Sequence, residues 1–78
     1  MSTRKSLTEL ITGEQATVLS FEGGRAMNNR LTSLGFTPGV KINVVQNYGR
    51  GPLIVTVRGS RVALGRGEAQ KIIVQGTD

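Results

Sequence analysis

The 78-residue chain contains no cysteine, no histidine and no tryptophan. Without cysteine, neither a disulfide framework nor a thiolate metal site can reinforce the fold, and the absence suits a reducing compartment. Without histidine as well, a metal would have to be held by carboxylates or backbone carbonyls. The carboxylates are few and dispersed: Glu9, Glu14, Glu22, Glu68 and Asp78. No D-x-D-type loop gathers them, so neither a metal site nor a cofactor is expected. Enzymatic acid–base work needs paired groups, and a nucleophile elbow needs G-x-S-x-G; neither is present, so no catalytic residue is expected. Gly49-Arg50-Gly51 and Gly65-Arg66-Gly67 lack the following lysine of a phosphate-binding P-loop and read as turns.

Aromatic residues are almost as scarce. Phe21 and Phe36 fit core positions, which leaves Tyr48 as the single stacking platform, where RNA binding usually wants several. Long apolar runs are missing too. The longest, Leu53-Ile54-Val55 and Ile72-Ile73-Val74, fall far short of a membrane span. The basic start at Met1 to Lys5 is followed by Thr8, Glu9 and Thr12 rather than an apolar stretch. No signal peptide is expected, and the expected location is the cytoplasm.

What the chain does have is positive charge and glycine. Ten lysines and arginines against five acids give a net charge of +5, and the pI is near 10.9. Such a surface attracts nucleic acid, anionic lipid or an acidic protein face without choosing among them. The cations are scattered, with no block of like charge. A chain this short buries only about 60% of the surface exposed when unfolded, so its core is thin.

The order of elements is legible. Ser6-Leu7-Thr8-Glu9 matches a capping box and starts a short helical turn over residues 7–10. A first strand is expected over residues 16–21, with apolar residues on both faces, so the pattern leaves the inward face open. Gly23-Gly24 precedes a helix over about 25–34, in which Met27, Leu31 and Leu34 share one face. Gly35 fits the positive-φ position that ends a helix, and Thr37-Pro38-Gly39-Val40 fits a type II turn. A second strand is expected over 40–46, a loop over 47–52 and a third strand over 53–58. Gly59-Ser60 is read as a type II′ hairpin turn, which sets Arg58 opposite Arg61 and Val57 opposite Val62. A short turn near 65–69 precedes a last strand over 71–74. The expected organisation is a domain over 7–74 with tails at 1–6 and 75–78. Five short strands and one helix inserted after the first strand predict a mainly β fold, a small bent SH3-like barrel.

At these residues the chain resembles a known family. Leu31-Thr32-Ser33-Leu34-Gly35-Phe36-Thr37-Pro38-Gly39-Val40 is similar to the L-x-x-L-G-hydrophobic-x-P-G core of the FeoA family, ferrous iron transport protein A. Gly51-Pro52-Leu53-Ile54-Val55-Thr56-Val57-Arg58-Gly59 resembles its G-P-x-x-V-x-V-x-G strand. Val62-Ala63-Leu64 with Ala69 and Ile72 to Val74 resembles its closing segment. The resemblance implies an SH3-like barrel and a cytoplasmic accessory role beside the FeoB-type membrane transporter, whose cytosolic region contains a GTPase domain. Ferrous iron enters only through that context. The same module ends metal-dependent repressors, and the stand-alone form is what the match implies here.

Two sets of residues are candidates for partner contact. Met27, Leu31 and Leu34, with Ala26 and Phe36, are either core or the edge of an apolar groove that receives a partner segment. Arg50, Arg58, Arg61 and Arg66 form the basic set, read either as a contact for acidic protein or phosphate or as ordinary solubilising charge, with Tyr48 as the one stacking candidate. The leading expectation is a transporter partner with no nucleic acid. The alternatives are a small basic nucleic-acid-binding barrel and a self-associating module that pairs through a strand edge.

Overall fold

The computed structural model describes residues 4–76. Six antiparallel strands form one sheet in the order β1-β6-β2-β3-β4-β5. These are β1 Arg4–Ser6, β2 Gln15–Phe21, β3 Lys41–Gln46, β4 Leu53–Val57, β5 Ser60–Leu64 and β6 Ile72–Gly76. Helix α1, Arg25–Ser33, lies between β2 and β3, and a five-residue α2, Arg66–Gln70, lies between β5 and β6. The sheet curls around one core, and Leu7, Val18, Leu31, Phe36, Ile42, Val55, Leu64 and Ile72 are fully excluded from solvent. Among the described residues it does not close by hydrogen bonding: β1 and β5 each pair on one side only. The architecture is the expected mainly β, SH3-like one, with one strand more than the sequence suggested.

That extra strand comes from the expected tails. Arg4 to Ser6 pair with Gln75, Val74 and Ile73, and β6 runs on through Gln75 and Gly76. Three residues carry too little pattern to read as a strand; an adjacent edge makes them one. Consequently the helix follows the second strand. The outermost positions of both expected tails, Met1 to Thr3 and Thr77 to Asp78, lie outside the described residues.

The segment around Gly35 forms as the sequence reads. The Gly35 N–H donates to the Thr32 carbonyl and the Phe36 N–H to the Leu31 carbonyl, each at 3.0 Å. This is a Schellman motif, with Gly35 at φ 103° and the Leu31–Phe36 apolar pair buried beneath it. The Val40 N–H then donates to the Thr37 carbonyl at 3.0 Å, closing the expected turn. The Ser6/Glu9 capping box is also present, over a single 3₁₀ turn at Leu7–Glu9.

Two bulges resolve what alternation left open. In β2, Val18 opposes Val74 but Ser20 opposes Ile73, so one extra residue is inserted near Leu19. Ala16 and Val18 therefore point inward before the bulge, and Phe21, opposite buried Ile72, packs on the core after it. Apolar residues on both faces of the period were the trace of that insertion. A second shift lies between Val44 and Gln46 in β3.

The hairpin corrects the sequence reading. Val57 opposes Ser60, Thr56 opposes Arg61 and Val55 opposes Val62. The central residues are Arg58 and Gly59, at φ 50° and 81°, which makes the turn type I′ rather than II′. The register slips by two positions, and a slip of two leaves every side chain on its expected face. Arg58 and Arg61 therefore do not face each other, and no like-charge cost arises between them.

Candidate partner-binding surfaces

The candidate residues do not form one site. Leu31 is fully buried and belongs to the core, so the groove reading does not hold for it. Met27 is half-buried against that core, its side chain lying over Gly23 where a Cβ would fall 2.1 Å from the Met27 Cε. Leu34, 36% exposed, is the one member of this helical face that reaches solvent appreciably. It sits at the α1 C-cap, next to the hairpin tip.

Arg58 is held at that same end. Its Nε donates to the Gly35 carbonyl at 3.4 Å and its Nη2 to Thr37 Oγ1 at 3.2 Å. The side chain thus braces β-hairpin against helix end, which explains why a non-glycine residue occupies a left-handed turn position. Its first role is structural. Arg61 stands apart on β5, exposed, opposite Thr56.

Tyr48 and Arg50 lie at the opposite end of β3 and β4, about 20 Å away at the rise of a six-residue strand. Tyr48 is 75% exposed and Ile11, on the neighbouring loop, is 68% exposed. The two loops are stitched together: the Asn47 N–H donates to Thr12 Oγ1 at 3.0 Å. The Ile11 turn is itself rigid, because the Ile11 N–H donates to Glu14 Oε1 at 2.8 Å and the Glu14 N–H to the Ile11 carbonyl at 3.0 Å.

Asn47 organises this end. Its amide nitrogen donates to the Leu10 carbonyl at 2.7 Å and the Thr8 carbonyl at 3.2 Å. Its amide oxygen accepts from the Gly49 N–H at 3.0 Å and from Arg66 Nη2 at 2.7 Å. Arg66 Nε also donates to the Gly51 carbonyl at 3.2 Å. Arg66, like Arg58, is spent on the fold, whereas Arg50 has no hydrogen bond or ion pair among the described residues. The result is a fixed tip bearing two exposed apolar side chains and an unpaired guanidinium, a composition typical of interface anchors. Sequence reading found Tyr48 and Arg50 but missed Ile11 and Asn47. Nothing in the local sequence separates exposed Ile11 from its buried neighbour Leu10.

The carboxylates are mostly engaged. Glu9 accepts from the Ser6 N–H, Glu14 from the Ile11 N–H, and Glu68 pairs with Arg30 across α2 and α1. Among the described residues no three acidic, cysteine or histidine side chains converge on a point that would hold a metal ion. No described helix is long and apolar enough to cross a membrane.

Together the bent six-stranded sheet, its helix and its exposed loop tip define a small SH3-like domain. Residues 5–76 match the model of the FeoA domain. The chain is 40% identical over 63 residues to the protein called "Putative Fe(2+) transport protein A" in Methanocaldococcus jannaschii, a match spanning 81% of this chain and 76% of that one. A crystal structure of an iron uptake regulatory protein, FeoA, superposes with a TM-score of 0.91 at 33% identity, over 96% of this chain and all of that one. The zinc complex of Stenotrophomonas maltophilia FeoA, described as a prokaryotic SH3 domain protein, gives 0.78 at 34% identity over 88% and 87% of the two chains. The chain belongs to the FeoA family, whose members are accessory proteins of ferrous iron transport.

Proposed function

We propose that this chain is a non-enzymatic cytosolic protein that binds the cytosolic region of the FeoB-type ferrous iron transporter and modulates iron uptake. The match to the FeoA domain over residues 5–76 is the observation that carries this reading. The Stenotrophomonas maltophilia relative is described as a candidate ferrous iron transport activating factor, which agrees with a regulatory role here. Ile11, Tyr48 and Arg50 are the contact surface: two large apolar groups already exposed, held by Asn47, with a cation beside them.

Retention of the purified chain on the immobilised cytosolic region of the transporter tests this. The Ile11→Ala/Tyr48→Ala double variant should bind at least about tenfold more weakly, the loss typical of truncating central anchors. Equal retention of a folded double variant would remove the tip from the contact, and no retention of the wild-type chain would remove the contact itself.

A further inference from the structure

Strand β5 is an open edge, and its chemistry specifies what it accepts. In a two-residue hairpin the residues flanking the turn exchange hydrogen bonds, so Val57 and Ser60 form such a pair, as do Val55 with Val62 and Leu53 with Leu64. The N–H and C=O groups of the intervening residues, Arg61 and Ala63, therefore point away from β4. No strand pairs there, and among the described residues neither backbone makes another hydrogen bond. Both residues are exposed, and between them Val62 packs on the core but keeps an uncovered flank. Natural edges are often blunted by charge, proline or a bulge; β5, Ser60-Arg61-Val62-Ala63-Leu64, has no proline or bulge, and its one charged residue is Arg61, which repels another cationic strand but not an acidic one.

Charge selects the occupant. The outward positions of the ordered ladder beside this edge are Gln15, Thr17, Lys41, Asn43, Ile54 and Thr56, followed by Arg61 and Ala63 on β5 itself. Lys41 and Arg61 are the charges on this face, with no carboxylate among them. A second copy is disfavoured, since two-fold antiparallel pairing about Val62 would bring the two Arg61 side chains onto neighbouring positions of two chains each carrying +5.

We infer that β5 is a strand-addition site for an extended acidic segment of a partner protein, one alternating carboxylate and apolar side chains. Its main chain takes up the Arg61 and Ala63 N–H and C=O groups, its carboxylates lie beside Arg61, and its apolar residues cover Val62. The site is distinct from the Ile11–Tyr48 tip and does not depend on the identity of the transporter partner.

The test uses a capped ten-residue peptide of alternating glutamate and valine, titrated into the isotope-labelled chain, with a lysine–valine peptide as control. The expected result is saturable shifts of the Arg61 and Ala63 amides with the acidic peptide and none with the basic one. Ala63→Pro deletes one outward N–H at an edge position that tolerates proline, and should abolish the shift of the remaining reporter, the Arg61 amide. Ala63→Glu keeps the N–H but sets a carboxylate against the peptide, and should weaken binding about tenfold. Core amides such as Leu7, Phe36 and Ile72 report whether each variant is folded. Absence of shifts in the wild-type chain, shifts at residues 47–50 instead, undiminished binding by a folded Ala63→Glu variant, or a β5 response that tracks protein concentration without peptide would each overturn the proposal.

Discussion

Single side chains decide how the two ends of this domain are held. Asn47 satisfies two carbonyls and two donors from three separate segments, and no neighbouring group can replace all four contacts. Asn47→Ala should lower stability by about 2–3 kcal/mol in urea denaturation, the sum of a few modest hydrogen bonds less rehydration. Asn47→Asp should also destabilise, because a carboxylate oxygen would then face the Thr8 and Leu10 carbonyls. At the opposite end, Gly35→Ala would force a side chain into φ 103° with its Cβ 3.3 Å from Arg58 Cδ; a loss of roughly 1–2 kcal/mol is expected. Asn28 behaves differently: its side-chain oxygen is shielded from solvent with no hydrogen-bond partner. Asn28→Ala should therefore raise the unfolding midpoint, by an amount corresponding to about 1 kcal/mol, through removal of that orphan and better helix propensity.

Elements are where pattern reading succeeds or fails for identifiable reasons. Helix α1 and its exit were legible because the Leu31, Leu34 and Gly35 spacing, followed by Pro38-Gly39, leaves few conformations open. The division of labour on that helix follows from burial: Leu31→Ala should cost about 2–5 kcal/mol, against a total of roughly 4–12 kcal/mol for a chain of this length. Leu34→Ala, already in contact with water, should stay within about 1 kcal/mol. Thermal melts of the two variants separate core from surface directly. The inward face of β2 was not legible, because the bulge near Leu19 breaks the period within the strand. Nor was the hairpin type. Gly59 marks a turn equally well as its first or second central residue, and Arg58 adopts φ 50° where its side chain braces the Gly35 segment, a contact invisible in local sequence.

At the scale of the whole molecule, the mainly β, SH3-like class and the succession of elements from the capping box to the last strand could be read from the chain, whereas the edge strand β1 and the β2 contribution to the core could not. The site could be read only in part. Arginines look alike in sequence, yet Arg58 and Arg66 hold the fold together while Arg50 and Arg61 face solvent. Tyr48 stood out because it is the lone tyrosine; Ile11 did not, because its exposure depends on a turn closed by Glu14 and a loop carried by a distant strand. The candidate residues consequently separate into a braced end around Leu34 and Arg58, an open strand edge at Arg61 and an anchoring tip at Tyr48. An accessory protein with one rigid tip can engage a larger partner without changing shape. We propose that this tip meets the cytosolic GTPase domain of the ferrous iron transporter, and amide shifts of the labelled chain titrated with that purified domain decide whether it does. Shifts should be confined to residues 10–14 and 47–51, with the amides around Leu31 and Phe36 unmoved. Shifts centred on α1, or none at all while both proteins remain folded, would contradict it.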